Sequence, residues 1–152
     1  MDRTERVELT ALCLVYKEDE ILLQDRTKDD WKGYVLPGGH IEKDESIVDA
    51  VTREIKEETG LTIFKPELVG LKQFPIKGGR YIVFLFRANK FAGNLRSSNE
   101  GKVLWVKRED LENYDLVKDF KELLSVFEDD SLTEFQYILE NPEDNDFKMI
   151  IK

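Results

Sequence analysis

Three glutamates at helical spacing are the residues of this sequence whose types and positions most directly suggest chemistry. Glu54, Glu57 and Glu58 stand at i, i+3 and i+4, so they share one face of an α-helix. Their like charges repel one another, and a bound divalent cation would offset that repulsion because hard cations prefer carboxylate oxygens. The alternative interpretation is a solvated acidic face, which is the more common origin of a charge run on a surface helix.

A longer pattern surrounds these glutamates and favours a functional site. Five residues separate Gly39 from Glu45, and seven more separate Glu45 from a segment that begins at Arg53. That segment reads Arg-Glu-Ile-Lys-Glu-Glu-Thr-Gly-Leu, so the whole pattern is G-x5-E-x7-R-E-U-x-E-E-x-G-U with U aliphatic. At average composition such a pattern arises by chance on the order of once in 10⁹ start positions.

This pattern is the signature of the Nudix hydrolases, and the sequence resembles that family at every position of the motif. The resemblance implies an α/β fold in which a mixed β-sheet is sandwiched between helices (α/β/α), formed by a single domain over residues 1–152. It also implies a magnesium-dependent enzyme, with manganese as the alternative cation, that cleaves a phosphoanhydride of a nucleoside diphosphate linked to a further group. That reaction requires mostly positioning and charge neutralisation.

The same resemblance assigns the metal ligands to glutamate side chains and one backbone carbonyl: Gly38, Glu54, Glu57, Glu58 and Glu100. The resemblance also implies that either Glu54 or Glu100 acts as the general base that deprotonates the attacking water. Glu100 lies in a predicted loop with few acids around it, and its alternative role is that of an ordinary loop carboxylate.

The remaining motif residues support the site structurally, by the same resemblance. An ion pair between Arg53 and Glu45 would hold the loop before the helix against the helix itself. Gly39 permits a tight turn in which the backbone approaches a cation, and Gly60 ends the helix.

Basic and aromatic residues outside the motif are candidates for substrate contacts. Arg80 follows a Gly-Gly pair, and a guanidinium is well suited to bind phosphate. Trp31, Tyr34 and Phe74 are candidates for stacking on a base. The alternatives are a solvated hairpin tip for Arg80 and core packing for the aromatic residues.

Asp119 is a candidate for base recognition. In the animal oxidised-purine triphosphatases of the family, a Trp-Pro-Asp-Asp stretch contacts the purine, and the place that matches by spacing here reads Val-Lys-Asp-Phe. Asp119 is the one acid retained there, so the resemblance supports this contact only in part. Its alternative role is that of a residue in the first turn of a helix.

Two segments are most similar to small bacterial MutT-type members: Trp-x-Gly-Tyr-x-x-Pro-Gly-Gly at residues 31–39 and Ser-Ser-Asn-Glu-Gly at residues 97–101. The expected substrate is therefore an oxidised deoxynucleoside triphosphate such as 8-oxo-dGTP, hydrolysed to the monophosphate and pyrophosphate. Alternative substrates are ADP-ribose or another nucleotide sugar, a dinucleoside polyphosphate, pterin triphosphate and the triphosphate end of messenger RNA. Alternatives from other classes are a non-catalytic nucleotide sensor, which the retained glutamates disfavour, and an acidic adaptor protein.

The motif needs a helix and neighbouring strands to position it. A helix is predicted at residues 46–59 with Ser46 as its N-cap, and apolar residues at helical spacing predict a second one over residues 115–127. Residues 34–36 form a short apolar segment that residues 37–39 stop, and residues 91–101 read as a polar loop. Apolar runs predict strands at residues 8–16, 20–24, 62–64, 68–74, 81–88 and 103–106, with 81–88 central, and a closing hairpin from 135–139 and 147–151.

The composition is that of a soluble globular chain of 152 residues with a net charge of −9. No apolar run approaches the roughly 20 residues of a membrane span, and the first residues lack the apolar core of a signal peptide. A single cysteine, Cys13, cannot form an internal disulfide, which favours a cytoplasmic location.

The charge is unevenly distributed along the chain. Residues 62–106 hold eight bases and two acids, a net charge of +6, whereas residues 107–152 hold six bases and fourteen acids, a net charge of −8. The overall acidity argues against non-specific binding to nucleic acid, and it leaves a small nucleotide carried with a metal as the expected partner. The acidic C-terminal segment is a candidate homodimer surface, for which packing in the core is the alternative.

Overall fold

The computed structural model describes residues 1–27, 32–143 and 145–152, so Trp31 and its predicted contact lie outside the described residues. The α-helices are α1 (Ile47–Thr59) and α2 (Phe120–Glu128), and a 3-10 helix spans Arg108–Asn113. The strands are β1 (Arg6–Lys17), β2 (Glu20–Arg26), β3 (Gly33–Val35), β4 (Gly38–His40), β5 (Thr62–Ile63), β6 (Glu67–Ile76), β7 (Gly79–Ala88), β8 (Phe91–Ala92), β9 (Gly101–Lys107), β10 (Glu134–Asn141) and β11 (Asp146–Ile151).

Over the described ranges, nine of these strands form one mixed sheet in the order β11-β10-β6-β7-β1-β2-β3, with β4 paired to β1 and β9 paired to β2. β7 pairs in parallel with β1 and antiparallel with β6, so the most apolar run of the sequence is a central strand, as predicted. The closing hairpin is also confirmed, because β10 and β11 pair antiparallel, and β10 joins the sheet by a parallel pairing with β6.

Successive side chains of β1 point to opposite faces of the sheet, and each face has its own hydrophobic core. Ala11, Cys13 and Val15 point to one face, where they pack with Val51 and Ile55 of α1. The intervening Leu14 belongs to the other cluster, in which the buried side chains Phe120, Val126 and Phe127 of α2 pack. The two helices therefore cover opposite faces, and the predicted α/β/α arrangement is confirmed.

Local capping sets the bounds of α1. The side chain of Ser46 accepts a 3.2 Å hydrogen bond from the amide of Asp49, which satisfies one of the free amides of the first turn. Gly60 has a φ of +81° and closes the helix with a hydrogen bond from its amide to the carbonyl of Lys56. Both ends agree with the sequence prediction.

The second helix begins later than its apolar spacing predicted, and a helix over all of residues 115–127 is therefore wrong. The amide of Tyr34 donates to the carbonyl of Asp115, and the amide of Val117 donates to the carbonyl of Tyr34, so this segment extends along β3 instead. Asp119 then adopts a φ of +61°, and regular helix starts only at Phe120. Apolar residues that recur at helical spacing can thus be buried by an extended segment as well as by a helix.

β1 exchanges one edge partner for another along its length. It pairs with β2 through Tyr16 and Lys17, and with β4 through Thr10, Ala11 and Leu12. β2 and β4 consequently diverge from a common neighbour, and the candidate catalytic groups gather around this fork. The sequence predicted only a chain stop at residues 37–39 and did not predict β4. In the part of the chain that the structure describes, no helix has the length and apolar character needed to cross a membrane.

Candidate active site

Glu58 is the most enclosed of the helix acids. Its Oε2 accepts a 3.0 Å hydrogen bond from the amide of Gly38, and the residue is only 8% exposed. Burial raises the pKa of Glu58 to about 7, and the negative charges of Glu54 and Glu100 act in the same direction. The amide of Gly38 and the positive charge of Arg26 oppose this rise. Several carboxylates therefore interact electrostatically at a partly buried place, the fork between β2 and β4.

Glu54 lies directly over the glycine turn. A Cβ atom at Gly39 would stand 2.5 Å from Oε2 of Glu54, so the missing side chain of Gly39 is what admits the carboxylate. Burial raises the pKa of Glu54, and its bond to Arg53 counteracts that rise. Gly39 thus positions a candidate catalytic group by leaving space for it.

Arg53 connects the loop before α1 to the helix acids. Its Nε and Nη2 donate to the two carboxylate oxygens of Glu45 at 2.8 and 3.0 Å, and Nη2 also donates to the carbonyl of His40 at 3.0 Å. Its Nη1 donates to Glu54 at 3.0 Å and to Glu57 at 3.2 Å. The pair with Arg53 lowers the pKa of Glu45. The contact between Arg53 and Glu45 that the sequence suggested is present, and Arg53 reaches two further acids.

Glu57 is the most solvent-accessible of the three helix acids. Its side chain is 59% exposed, and it bonds to Arg53 one helical turn earlier. A carboxylate with this exposure can rotate towards a ligand without disturbing the core.

Glu100 reaches the site through a tight turn at the start of β9. Ser98 and Gly101 form an isolated bridge around it, and Gly101 lies opposite Arg26 at the end of β2. The amide of Arg96 donates a 2.7 Å hydrogen bond to the carbonyl of Thr59, which ties the same loop to the end of α1. The sequence prediction did not include Arg26, although a cation that ends a buried strand beside the acidic motif was a usable signal.

The donor groups suit a hard divalent cation, since they are carboxylates with an excess of negative charge. Among the described residues, no three His, Cys, Asp or Glu side chains are arranged to hold a metal ion, and Arg53 is bonded to Glu54 and Glu57 in this arrangement. The negative charge of Glu54 raises the pKa of Glu58, as does that of Glu100, and the charge of Glu57 acts on Glu54, so the four carboxylates are close neighbours.

The substrate-contact candidates lie in separate places. Arg80 is paired with Glu5 and donates to the side-chain oxygen of Gln73 at 3.1 Å. Tyr34 packs edge-on against Tyr114, with ring centroids 5.0 Å apart, and lines a surface cavity of about 270 Å³ with Arg26.

Phe74 and Asp119 lie on the face of the sheet that α2 covers in part. Phe74 is stacked on Tyr81 with ring centroids 4.8 Å apart. The hydroxyl of Tyr137 donates to Oδ2 of Asp119, and Asp119 is the N-cap residue of α2, although its side chain makes no capping bond. Its suggested first-turn position is therefore replaced by a position just before the helix.

Comparison with known proteins relates the chain to one family. The NUDIX domain matches residues 7–127. The uncharacterized Nudix hydrolase YvcI of Bacillus subtilis is 39% identical over 107 residues, 66% of this chain and 66% of YvcI. The ADP-ribose pyrophosphatase of Methanocaldococcus jannaschii is 36% identical over 92 residues, 59% of this chain and 54% of that protein. Human 8-oxo-dGDP phosphatase NUDT18 is 35% identical over 85 residues, 55% of this chain and 25% of NUDT18.

The chain thus spans at most 66% of the length of these three relatives. A solved structure, the mutator MutT protein of Bacillus halodurans, is similar over 95% of this chain and 97% of its own, with a TM-score of 0.76 and 29% identity. The matched residues include the fork between β2 and β4, the acidic helix α1 and the turn that carries Glu100. This protein belongs to the Nudix domain family.

Proposed function

We propose that this protein is a magnesium-dependent Nudix pyrophosphohydrolase that converts an oxidised deoxynucleoside triphosphate such as 8-oxo-dGTP to the monophosphate and pyrophosphate. The observation that carries this proposal is the gathering of Glu54, Glu58 and Glu100 at one partly buried site, where burial and then the charges of Glu54 and Glu100 raise the pKa of Glu58 to about 7. An excess of carboxylate charge at a partly buried site is favourable only when cations accompany it.

In this proposal Glu54, Glu57, Glu58 and Glu100 would hold the metal, together with the carbonyl of Gly38. A divalent cation bound there would neutralise charge on the phosphate oxygens and lower the pKa of a bound water. The amide of Gly38 holds Glu58 in place, and Arg53 with Glu45 fixes the loop. Glu54 or Glu100 accepts the proton of the attacking water, with manganese as the alternative to magnesium.

The substrate assignment has support from two relatives and competition from a third. NUDT18 is an 8-oxo-dGDP phosphatase, and the Bacillus halodurans structure is a mutator MutT protein. The archaeal relative is an ADP-ribose pyrophosphatase, which makes ADP-ribose the second candidate substrate. We include a cytoplasmic location and a small nucleotide as the partner in the same proposal.

A nucleotide panel tests the proposal directly. The protein is incubated with magnesium and 8-oxo-dGTP, dGTP, dATP or ADP-ribose, and the release of pyrophosphate and of monophosphate is measured separately. We expect 8-oxo-dGTP to give the highest kcat/KM, with pyrophosphate as the product. Strong turnover of ADP-ribose without turnover of 8-oxo-dGTP would replace the substrate and retain the chemistry. Absence of turnover on the whole panel would contradict the proposed function.

A further inference from the structure

Lys72 has an unusual environment for a lysine side chain. Its ammonium lies 5.7, 5.4 and 5.5 Å from the ring centroids of Phe74, Phe135 and Tyr137, and Phe135 is fully buried. Burial lowers the pKa of Lys72, whereas the negative charge of Asp119 opposes that effect. Within residues 1–27, 32–143 and 145–152, no oxygen forms a hydrogen bond or ion pair with this ammonium. Three aromatic faces stabilise its charge and leave its N–H donors available.

Asp119 provides the complementary acceptor. One of its carboxylate oxygens accepts the hydroxyl proton of Tyr137, and its backbone holds a φ of +61°. A non-glycine residue in this conformation carries strain of roughly 1 kcal/mol or more, which surrounding contacts must offset. The Tyr137 bond and the start of α2 fix the carboxylate in that position. Its other oxygen, among the described contacts, has no hydrogen-bond donor and remains able to accept one.

Register connects this pair to the catalytic fork. Lys72 lies opposite Val83, Val83 lies opposite Thr10, and Thr10 lies opposite His40 of β4. Three inter-strand steps of about 4.8 Å separate Lys72 from His40, the neighbour of Gly39. The charge of Arg26 acts on both Glu58 at the fork and Tyr81 beside this row, so a phosphate bound at the fork would have its base within reach of the row.

Aromatic surface is available along the same row. Phe74 and Tyr81 are stacked on each other, and Tyr81 also contacts the ring of His40 edge-on at 6.2 Å. Phe74, Tyr81, Lys72 and Asp119 are all only half-buried, so solvent and therefore a ligand can reach them. The face combines a flat apolar contact with one fixed donor and one fixed acceptor, as base-binding sites do.

We infer that Lys72 determines base specificity, with its ammonium donating to a carbonyl oxygen of the base while Asp119 accepts an adjacent ring N–H. This inference rests on the proposed function and specifies its substrate class as nucleotides with an oxo group beside a ring N–H. Guanine and 8-oxoguanine carry that edge. In the same pose adenine presents an amino group to the ammonium, and two donors cannot pair.

The test uses binding, so that it does not depend on turnover. Affinities for 8-oxo-dGMP, dGMP and dAMP are measured by calorimetry without divalent cations, for the wild type, Lys72→Met and the control Lys77→Met. Methionine is apolar and of similar length, so Lys72→Met keeps the packing against the rings. Lys77 is an exposed lysine at the β6–β7 turn, outside the row, and its substitution removes the same charge.

We expect the wild type to bind 8-oxo-dGMP and dGMP more tightly than dAMP. Lys72→Met should weaken both oxo-base ligands by about 10- to 100-fold, the range for one hydrogen bond to a charged group, and leave dAMP nearly unchanged. Lys77→Met should match the wild type. Equal weakening of all three ligands, or no weakening, would overturn the inference.

A second variant covers the possibility that Lys72→Met is not folded, which a thermal melt would show. Tyr137→Phe removes the hydroxyl that holds Asp119, and it should reduce the preference for oxo-bases several-fold. An unchanged preference in Tyr137→Phe would count against Asp119 as the acceptor. Selective binding without hydrolysis by the wild type would contradict the proposed function and leave this inference intact. Hydrolysis without base selection would support the proposed function and overturn this inference.

Discussion

The amide of Gly38 and the carboxylate of Glu58 are joined by a 3.0 Å hydrogen bond that links β4 to α1. The bond holds a buried acid at the fork of the sheet, where the charges of Glu54 and Glu100 also act on it. One backbone donor is too little to satisfy a buried carboxylate, since an ionised carboxylate offers about four acceptor positions. The remaining positions are the ones that a cation would take.

Glu57→Gln should abolish most turnover without changing the fold. The side chain is 59% exposed and lies outside the core, so we expect little change in the unfolding midpoint. Because Glu57 is a proposed metal ligand, its replacement should lower kcat by at least about 100-fold, the upper range found for outer-shell partners of metal sites. The measurement is steady-state hydrolysis of 8-oxo-dGTP with magnesium.

Glu109→Gln is the matched control for that variant, because Glu109 is an exposed glutamate on the 3-10 helix and makes the same change in charge. It should keep wild-type kinetics. Equal rates for Glu57→Gln and the wild type would show that Glu57 is not part of the catalytic machinery.

Alanine at the two adjacent glycines should have different effects. A Cβ at Gly38 would lie 2.0 Å from the carbonyl oxygen of Ala11, and backbone cannot move aside without breaking the β1–β4 pairing. Gly38→Ala should therefore lower the free energy of unfolding by about 1–3 kcal/mol, as overpacking does. At Gly39 the three atoms nearest to the added Cβ all belong to the flexible carboxylate of Glu54, so Gly39→Ala should lower kcat more than stability.

Urea unfolding and steady-state kinetics on the same preparations separate these two effects. Gly78→Ala serves as the control, because no atom lies within 4 Å of the added Cβ, although its φ of +80° costs some stability. It should retain full activity. Loss of activity in Gly78→Ala, or full activity in Gly39→Ala, would contradict the assigned role of Gly39.

Glu58 should make the metal-free protein less stable as the pH rises. Its pKa is raised from an ordinary 4.5 to about 7 in the folded state, so between these values the folded chain retains a proton that the unfolded chain has lost. The stabilisation is complete below pH 4.5 and is lost as the pH passes 7, a change of about 3 kcal/mol.

Unfolding free energies in urea from pH 4 to 8, with a chelator, provide the measurement. In Glu58→Gln the amide oxygen still accepts from Gly38 and cannot titrate, so the wild type should lose stability relative to this variant across the window. Magnesium should restore the stability of the wild type above pH 7 more than that of Glu58→Gln. Parallel pH profiles for the two proteins would exclude a raised pKa at Glu58.

Glu45 should have the opposite pH dependence, so that its contribution to the stability of the protein is lost as the pH falls. Arg53 lowers its pKa in the folded state below the ordinary 4.5, so the ion pair stabilises the protein above that value and is lost as the pH falls through the lowered pKa. Glu45→Gln should melt at a lower temperature than the wild type at pH 7, and the difference should shrink as the solution is acidified.

Glu112→Gln is a suitable comparison, because Glu112 pairs with Lys121 through a side chain that is 79% exposed. Such surface pairs contribute little to stability, so this variant should melt with the wild type at every pH. If the two glutamine variants behaved alike, the bidentate pair of Glu45 with Arg53 would be no more than a surface contact.

The sequence was most informative where structure is local. The bounds of α1 follow from Ser46 and Gly60, because a cap is decided by a few neighbouring residues. The meeting of Arg53 with Glu45 could also be anticipated, since both belong to one contiguous motif.

Long-range pairings explain what the sequence could not predict. β4 exists because residues 38–40 pair with Thr10, Ala11 and Leu12, and no local signal marks a glycine pair as a strand. Asp115 and Val117 are not helical, because the carbonyl of Asp115 and the amide of Val117 form hydrogen bonds with the backbone of Tyr34. Lys72 gained its aromatic surroundings from β10, and nothing near Lys72 in the sequence indicates that contact.

The parallel pairing of β1 with β7 has a consequence for the nascent chain. Residues 39–61 carry the whole motif, yet β1, which already pairs with β2 and β4, gains the strand at its other edge only after Gly79–Ala88 has been synthesised. The turn that brings Glu100 to the site emerges later still. A ribosome-bound or truncated chain that stops before Gly79 would thus contain the complete motif without β7 and without the turn that carries Glu100. Hydrolysis should therefore begin only after β7 and β9 have been translated.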